Sequence, residues 1–169
     1  MMPLKTSIVF VRTITLPDDV KELEDLKMGP FIRLDSGEIL TVEDTKCLIS
    51  ADFGKTWTSH EMFAEPEKFQ ISNERALLKT SNNVIILAFM NMKERKNWKW
   101  KAEISDSPGA ILPTYAIRSV DGGKTWQDVQ KLHQEHTGAI RDIIETRNGN
   151  VIFTSMMMRH NPGHHTVLT

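Results

Sequence analysis

The chain has 169 residues, with 21 basic and 22 acidic side chains, a net charge of −1 and 40% hydrophobic residues. That balance reads as a soluble globular chain and gives no electrostatic reason to expect a nucleic-acid partner. A single cysteine, Cys47, excludes an intramolecular disulfide framework, and its place in an apolar run reads as a buried, inert thiol.

In chain order, the first apolar run is "SIVFVRTITL" over residues 7–16, read as a strand. Arg12 interrupts it and no small-residue cleavage site follows, so it is not read as a signal peptide, which leaves a cytoplasmic location by default. No run approaches the length of a membrane span. "LPDDVKELEDLK" spaces Val20, Leu23 and Leu26 behind Pro17 and two aspartates, a pattern that allows a short helix. Residues 1–28 are thus a lead-in. Beyond them come "PFIRL", "EILTV", "KCLIS", "RALLKT", "NVIILAFM", "IRDIIET" and "NVIFTSMMM", short runs of strand-forming residues separated by Asp-Ser-Gly, Ser-Asn-Asn and Arg-Asn-Gly-Asn turns. They predict an all-β fold.

These runs repeat. Units over about 29–63, 75–133 and 138–169 share a first turn marked by Gly37, Asn83 and Gly149, which makes Gly29, Arg75 and Arg141 equivalent. The second unit carries an insertion over 91–110. The first two units close on a common box, Ser50-Asp52-Gly54-Thr56-Trp57 and Ser119-Asp121-Gly123-Thr125-Trp126. Four-stranded units in series, each closed by one motif, predict about two and a half blades of a β-propeller. Within the box, serine and aspartate can accept backbone N–H bonds, glycine supplies φ > 0, and tryptophan offers a plate for packing. A phosphate loop is excluded, because Ile49 and Arg118 stand where it needs a glycine, and the ligands of an EF-hand are missing.

The two motifs resemble Asp boxes, the BNR repeats characteristic of sialidases (neuraminidases) and other Asp-box propellers, over a region from Gly29 to the C-terminus. The resemblance implies a six-bladed propeller that removes a terminal sialic acid with retention. Three arginines would clamp the substrate carboxylate, a tyrosine assisted by a glutamate would be the nucleophile, and an aspartate the acid/base. Lys27 stands at the position of the first of those arginines, and Asp44 roughly at that of the acid/base. The nucleophile and the later arginines would lie past Thr169, whereas Tyr115, in mid-unit, reads as a strand residue. The expected activity is therefore an exo-α-sialidase-like hydrolysis that this length of chain does not perform alone, and its open blade edges are expected to self-associate. Asp boxes also occur in propellers without this activity, so a non-catalytic propeller binding carbohydrate or protein is the alternative.

In an up-and-down blade, the start of strand one and the loop between strands two and three share the face opposite the box. That face is expected to gather Lys27, Glu43, Asp44, Arg75, the insertion, Arg141, Asp142 and the "RHNPGHH" loop. Arg75 and Arg141 would suit a sialic-acid-like or other acidic glycan, or each would pair with a neighbour such as Glu74 or Asp142. Asp106 is an alternative to Asp44. Trp98 and Trp100, interleaved with lysines, could stack on a sugar or anchor a solvated loop. Pro162 and Gly163 deny the histidines a helical i, i+4 arrangement, so neither a metal nor another cofactor is expected.

Overall fold

The computed structural model describes Pro17 and residues 28–133, 140–157 and 165–168. The expected strand over 7–16, the expected helix beyond Pro17, Lys27 and nearly all of the "RHNPGHH" loop lie outside the described residues. Among the described residues, three antiparallel sheets follow one another along the chain. The first joins β1 (Phe31–Arg33), β2 (Ile39–Glu43), β3 (Lys46–Ser50) and β4 (Thr58–Glu61) in sequence order. The second joins β5 (Ile71–Lys79), β6 (Ile85–Asn91), β7 (Thr114–Ser119) and β8 (Gln127–His133) in the same way, and the third joins β9 (Asp142–Glu145), β10 (Val151–Met157) and β11 (His165–Leu168). Among the described residues, the only helical segments are three short 3-10 turns.

Burial follows the strand sequences. The inner strands β2 and β6 bury residues of both parities, such as Leu40, Thr41 and Val42, or Leu87, Ala88 and Phe89; the second sheet is covered on one face by the first sheet and on the other by the third. The last strands, "TSHE" and "QDVQKLH", are polar and largely exposed, as edge strands that must not recruit another chain. One core cluster links the first two sheets through Leu40, Val42, Cys47, Ile49, Leu87 and Phe89. A second links the second and third through Ala76, Ala88, Met90, Ile143 and Phe153.

The shared first turn is reproduced bond for bond. Leu34 N–H donates to Glu38 O and Gly37 N–H to Leu34 O; the corresponding pairs are Thr80 to Val84 with Asn83 to Thr80, and Thr146 to Asn150 with Gly149 to Thr146. Gly37, Asn83 and Gly149 all have positive φ, at 91°, 64° and 80°. The first strands of successive sheets are neighbours, β1 beside β5 and β5 beside β9. One boundary differs from expectation. The second sheet starts at Ile71, not Arg75, because Ile71 pairs with Asn91 across a bulge, and Arg75 therefore lies inside β5 rather than at its start.

Both boxes lie between the third and fourth strands and are closed turns. Ser50 Oγ accepts from Gly54 N–H at 2.7 Å and donates to Asp52 Oδ1 at 2.8 Å, while Asp52 accepts from Thr56 N–H and Oγ1 at 2.9 and 2.7 Å. Ser119, Asp121, Gly123 and Thr125 repeat the pattern at 2.9, 2.9, 2.9 and 2.6 Å. Each tryptophan adds a bond that its packing role alone does not require: Trp57 Nε1 to Gly54 O and Trp126 Nε1 to Gly123 O, both 3.0 Å. The bonds from Thr56 and Ser50 hold Asp52 down at about 2, led by the Thr56 N–H. Burial opposes the same effect at Asp121, but the bonds from Thr125 and Ser119 outweigh it and lower its pKa too.

The second box also joins two sheets. A Cβ on Gly123 would overlap Leu40 Cδ1 and stand 3.0 Å from Cys47 Sγ, and Trp126 packs against the cluster containing both. Burial pushes the Cys47 thiol up to about 12, matching the expected inert cysteine.

Two outcomes follow for stability. Gly123→Ala should cost about 2–4 kcal/mol, from strain at φ +89° plus overpacking, whereas Gly149→Ala, whose Cβ would meet nothing within 4 Å, should cost about 1 kcal/mol; urea midpoints of the two variants measure the difference. Because both box carboxyls have lowered pKa values, their contribution is present above the unfolded value of about 4 and is lost as pH falls through the folded one. Stability should therefore decline from about pH 4 towards about pH 2, and Asp121→Ala should remove part of that dependence at a cost of about 1 kcal/mol at neutral pH.

Candidate functional site

Antiparallel strands send the turn between β2 and β3 to the end of the sheet opposite the box. The insertion after β6 emerges at the corresponding end of the second sheet. At this end Arg75 reaches from β5 across to the first sheet. Its Nη2 donates to Val42 O at 2.6 Å and to Met28 O at 3.5 Å, and Nη1 donates to Ser72 O at 3.4 Å. Its Nε–H is buried and has no hydrogen-bond partner among the described residues. Burial lowers the Arg75 pKa from its ordinary value, while Asp44 and Glu43 favour the charged form. Met28, Val42, Glu43, Asp44, Asn73 and Arg75 line a cavity of about 100 Å³. The expected neighbours Arg75 and Asp44 thus share one wall, with Asp44 exposed on a turn at φ 50°.

Arg141 stands apart from that cavity. It is 74% exposed and approaches Glu74 at 3.6 Å, one of the two pairings anticipated for it. Asp142 turns back on its own backbone, its Oδ1 accepting from Ile143 N–H at 2.8 Å.

The insertion is an ordered arm. Antiparallel bridges join Lys96 to Ile111 and Lys101 to Asp106, and Ser107 Oγ accepts from Lys99 N–H at 2.7 Å. Buried Asn91 anchors its root, accepting from Gln70 N–H and Lys93 N–H and donating to Lys68 O and Glu94. Asn73, Glu74, Met90, Arg95, Trp98 and Leu112 help to line a second cavity of about 300 Å³, which shares Asn73 with the first. Trp98 therefore faces the site, whereas Trp100 is 55% exposed and lines neither cavity. Asp106 is buried within the arm, its Oδ1 accepting from Ser107 N–H, so it is no open substitute for Asp44.

One constellation was not anticipated. Tyr115 donates to Glu94 Oε1, and Lys131 Nζ donates to Glu94 Oε2 at 2.6 Å while lying 5.3 Å from the Tyr115 ring centre. Burial and the bond to Glu94 raise the Tyr115 pKa, so the phenol is held protonated as a donor. Burial opposes ionisation of Glu94, but Lys131 and Tyr115 outweigh it and keep that carboxyl below its ordinary value. The reading of Tyr115 as a strand residue agrees with this geometry. Only its burial mid-strand was legible in advance, since Glu94 and Lys131 meet it from distant parts of the sequence.

A larger cavity than either, about 570 Å³, lies at the box end between the first two sheets. Several of its polar groups are already engaged, Lys79 with Asp35 and Asn83 within the cavity wall, and Asp121 with Thr125 in the box turn. It is a groove between sheets more than a site with free donors. The smaller Arg75 cavity holds the better chemistry.

Arg75→Ala should leave Val42 O without its donor and cost about 1–3 kcal/mol. Arg75→Lys, which keeps the charge but not the fork, should cost less. Urea midpoints of the two variants, compared with the wild type, check the ordering.

Comparison with family models finds no match, and neither does comparison with curated proteins. Among solved structures, a Dyadobacter fermentans protein of unknown function is similar with a TM-score of 0.51 and 21% identity, over 82% of this chain and 50% of that one. Hadza microbial sialidase Hz136 is similar with a TM-score of 0.56 and 13% identity, over 84% of this chain and 34% of that one. The chain thus spans half the length of the first and about a third of the second. At such identities the likeness is one of fold alone: an all-β chain of antiparallel sheets with a distant sialidase-like relationship.

Proposed function

We propose that the chain is part of a six-bladed, sialidase-like Asp-box propeller that recognises a terminal anionic sugar at the end bearing Arg75 and Asp44. The observation that carries this reading is the buried Arg75 Nε–H, which has no acceptor and belongs to a guanidinium walling a cavity beside Asp44. A sugar carboxylate would supply that acceptor in a charge-assisted bond once Arg75 turns its Nε–H, closed to solvent here, into the cavity. Trp98 and the arm would bound the remainder of the sugar, and Arg141 would add positive charge at the rim. In a complete enzyme of this type Asp44 would serve as acid/base and Lys27 would assist in holding the carboxylate, while the nucleophile would come from residues outside this chain.

A second reading, a non-catalytic Asp-box propeller that binds carbohydrate or protein, is favoured by a specific observation. Arg75 already donates to Val42 O at 2.6 Å, a bond that also suits a purely structural arginine.

The test is to titrate the chain with a sialoside and with neutral lactose, following the tryptophan signals by NMR, and to assay a fluorogenic sialoside in parallel. Selective binding of the sialoside, weakened at least tenfold by Arg75→Lys and kept in Asp44→Asn, with no hydrolysis, is the expected result. Binding indifferent to Arg75→Lys, or equal for lactose, overturns the anionic-sugar reading. Hydrolysis by these residues alone overturns the assignment of the nucleophile to residues outside the chain.

A further inference from the structure

Successive sheets are tied at the same place, and the ties form a series with two unmet ends. Lys79 Nζ donates to Asp35 Oδ1 at 2.7 Å, joining the second sheet to the first turn of the first sheet. One sheet further on, Ser81 N–H and Oγ donate to Glu145 Oε2 and Oε1 at 2.7 and 2.9 Å. The positions correspond. Asp35, Ser81 and Arg147 are the second residues of turns closed by the same two backbone bonds, and Arg33, Lys79 and Glu145 end the first strands before them. Each tie therefore runs from the second residue of a turn to the last first-strand residue of the following sheet.

The chemistry inverts between the two ties, an acidic turn meeting a basic strand and then a donor turn meeting an acidic strand. Continuing the register makes Arg147 the turn half of a third tie and Arg33 the strand half of a preceding one. Both are exposed, and neither side chain has a hydrogen bond or ion pair among the described residues. From this series we infer that Arg147 is a docking point for a β-sheet unit outside these residues that ends its first strand in a carboxylate, as the third sheet does at Glu145. A second copy of this chain is the wrong partner in that register. It would bring Arg33 against Arg147, guanidinium against guanidinium, whereas like charges facing across strands repel. This inference is independent of any sugar, and it narrows the expected self-association to contacts other than this one.

The test uses the full chain and lets a substituted copy stand in for the partner. Wild type, Arg33→Glu, Arg147→Glu and the double variant are compared by sedimentation equilibrium at low salt, with Lys55→Glu as a control for net charge. Each single variant should self-associate about tenfold more tightly than wild type, the double variant should return to the wild-type value, and the difference should shrink in high salt. In a mixture of Arg33→Glu with Arg147→Lys, a zero-length carbodiimide should form an amide between positions 33 and 147 of different chains, read by peptide mapping. Circular dichroism and urea midpoints identify any variant that fails to fold, and the Arg147→Lys cross-link, which preserves charge at the turn, then decides. Equal association of all four proteins, a wild type that associates as tightly as the single variants, or no 33–147 cross-link overturns the inference.

Discussion

The close approach of the Gly123 backbone to Leu40, Cys47 and Ile49 is the constraint on which the rest depends. It sets the separation of the first two sheets at one end. Trp126 then closes over the same apolar cluster, and the box bonds keep the turn in the shape that makes the approach feasible. Further along the same junction, Lys79 reaches Asp35, and at the far end Arg75 reaches Val42 O. The junction is thus fixed along its length by an apolar contact, an ion pair and a charged donor to a carbonyl.

This arrangement explains the division of labour between the two ends of the sheets. At the box end, the charged groups described are largely spent on their own turns or on the neighbouring sheet, and a large groove there carries little unpaired chemistry. At the opposite end, the β2–β3 turn is short, the arm extends outward, and the buried Arg75 Nε–H has no acceptor. An unsatisfied buried donor costs stability, and proteins retain such groups where a ligand or function compensates. The polar chemistry of Tyr115, Glu94 and Lys131 serves instead to fasten the root of the arm to the sheet.

What was legible in the sequence was local. The turns at Gly37, Asn83 and Gly149 and both boxes could be read because their bonds join residues at most four apart, and turn chemistry is written in adjacent residue types. Strand order followed from the repeat. Contacts between sheets were harder to read. Nothing near Arg75 in sequence announces Val42 O, and the spacing of Glu94, Tyr115 and Lys131 fits no helical or strand period. The early start of β5 was hidden because a bulge breaks the alternation before Arg75. Arg141 and Asp142 were placed on one face by the register of the repeat, which says nothing of where each side chain goes: Arg141 extends to Glu74, and Asp142 accepts from Ile143 N–H.

The position of Cys47 gives the molecule an internal clock. Its thiol lies beneath Gly123 and beside the Trp126 cluster, and with a pKa near 12 almost none of it is thiolate at neutral pH. A thiol reagent reaches it only when the second box lifts from the first sheet or the whole chain unfolds. Its labelling rate therefore counts openings of that one junction, and comparison with amide exchange in β2 and β6 separates local parting of the sheets from global unfolding. With one cysteine in the sequence, that measurement requires no added probe and no removal of competing thiols.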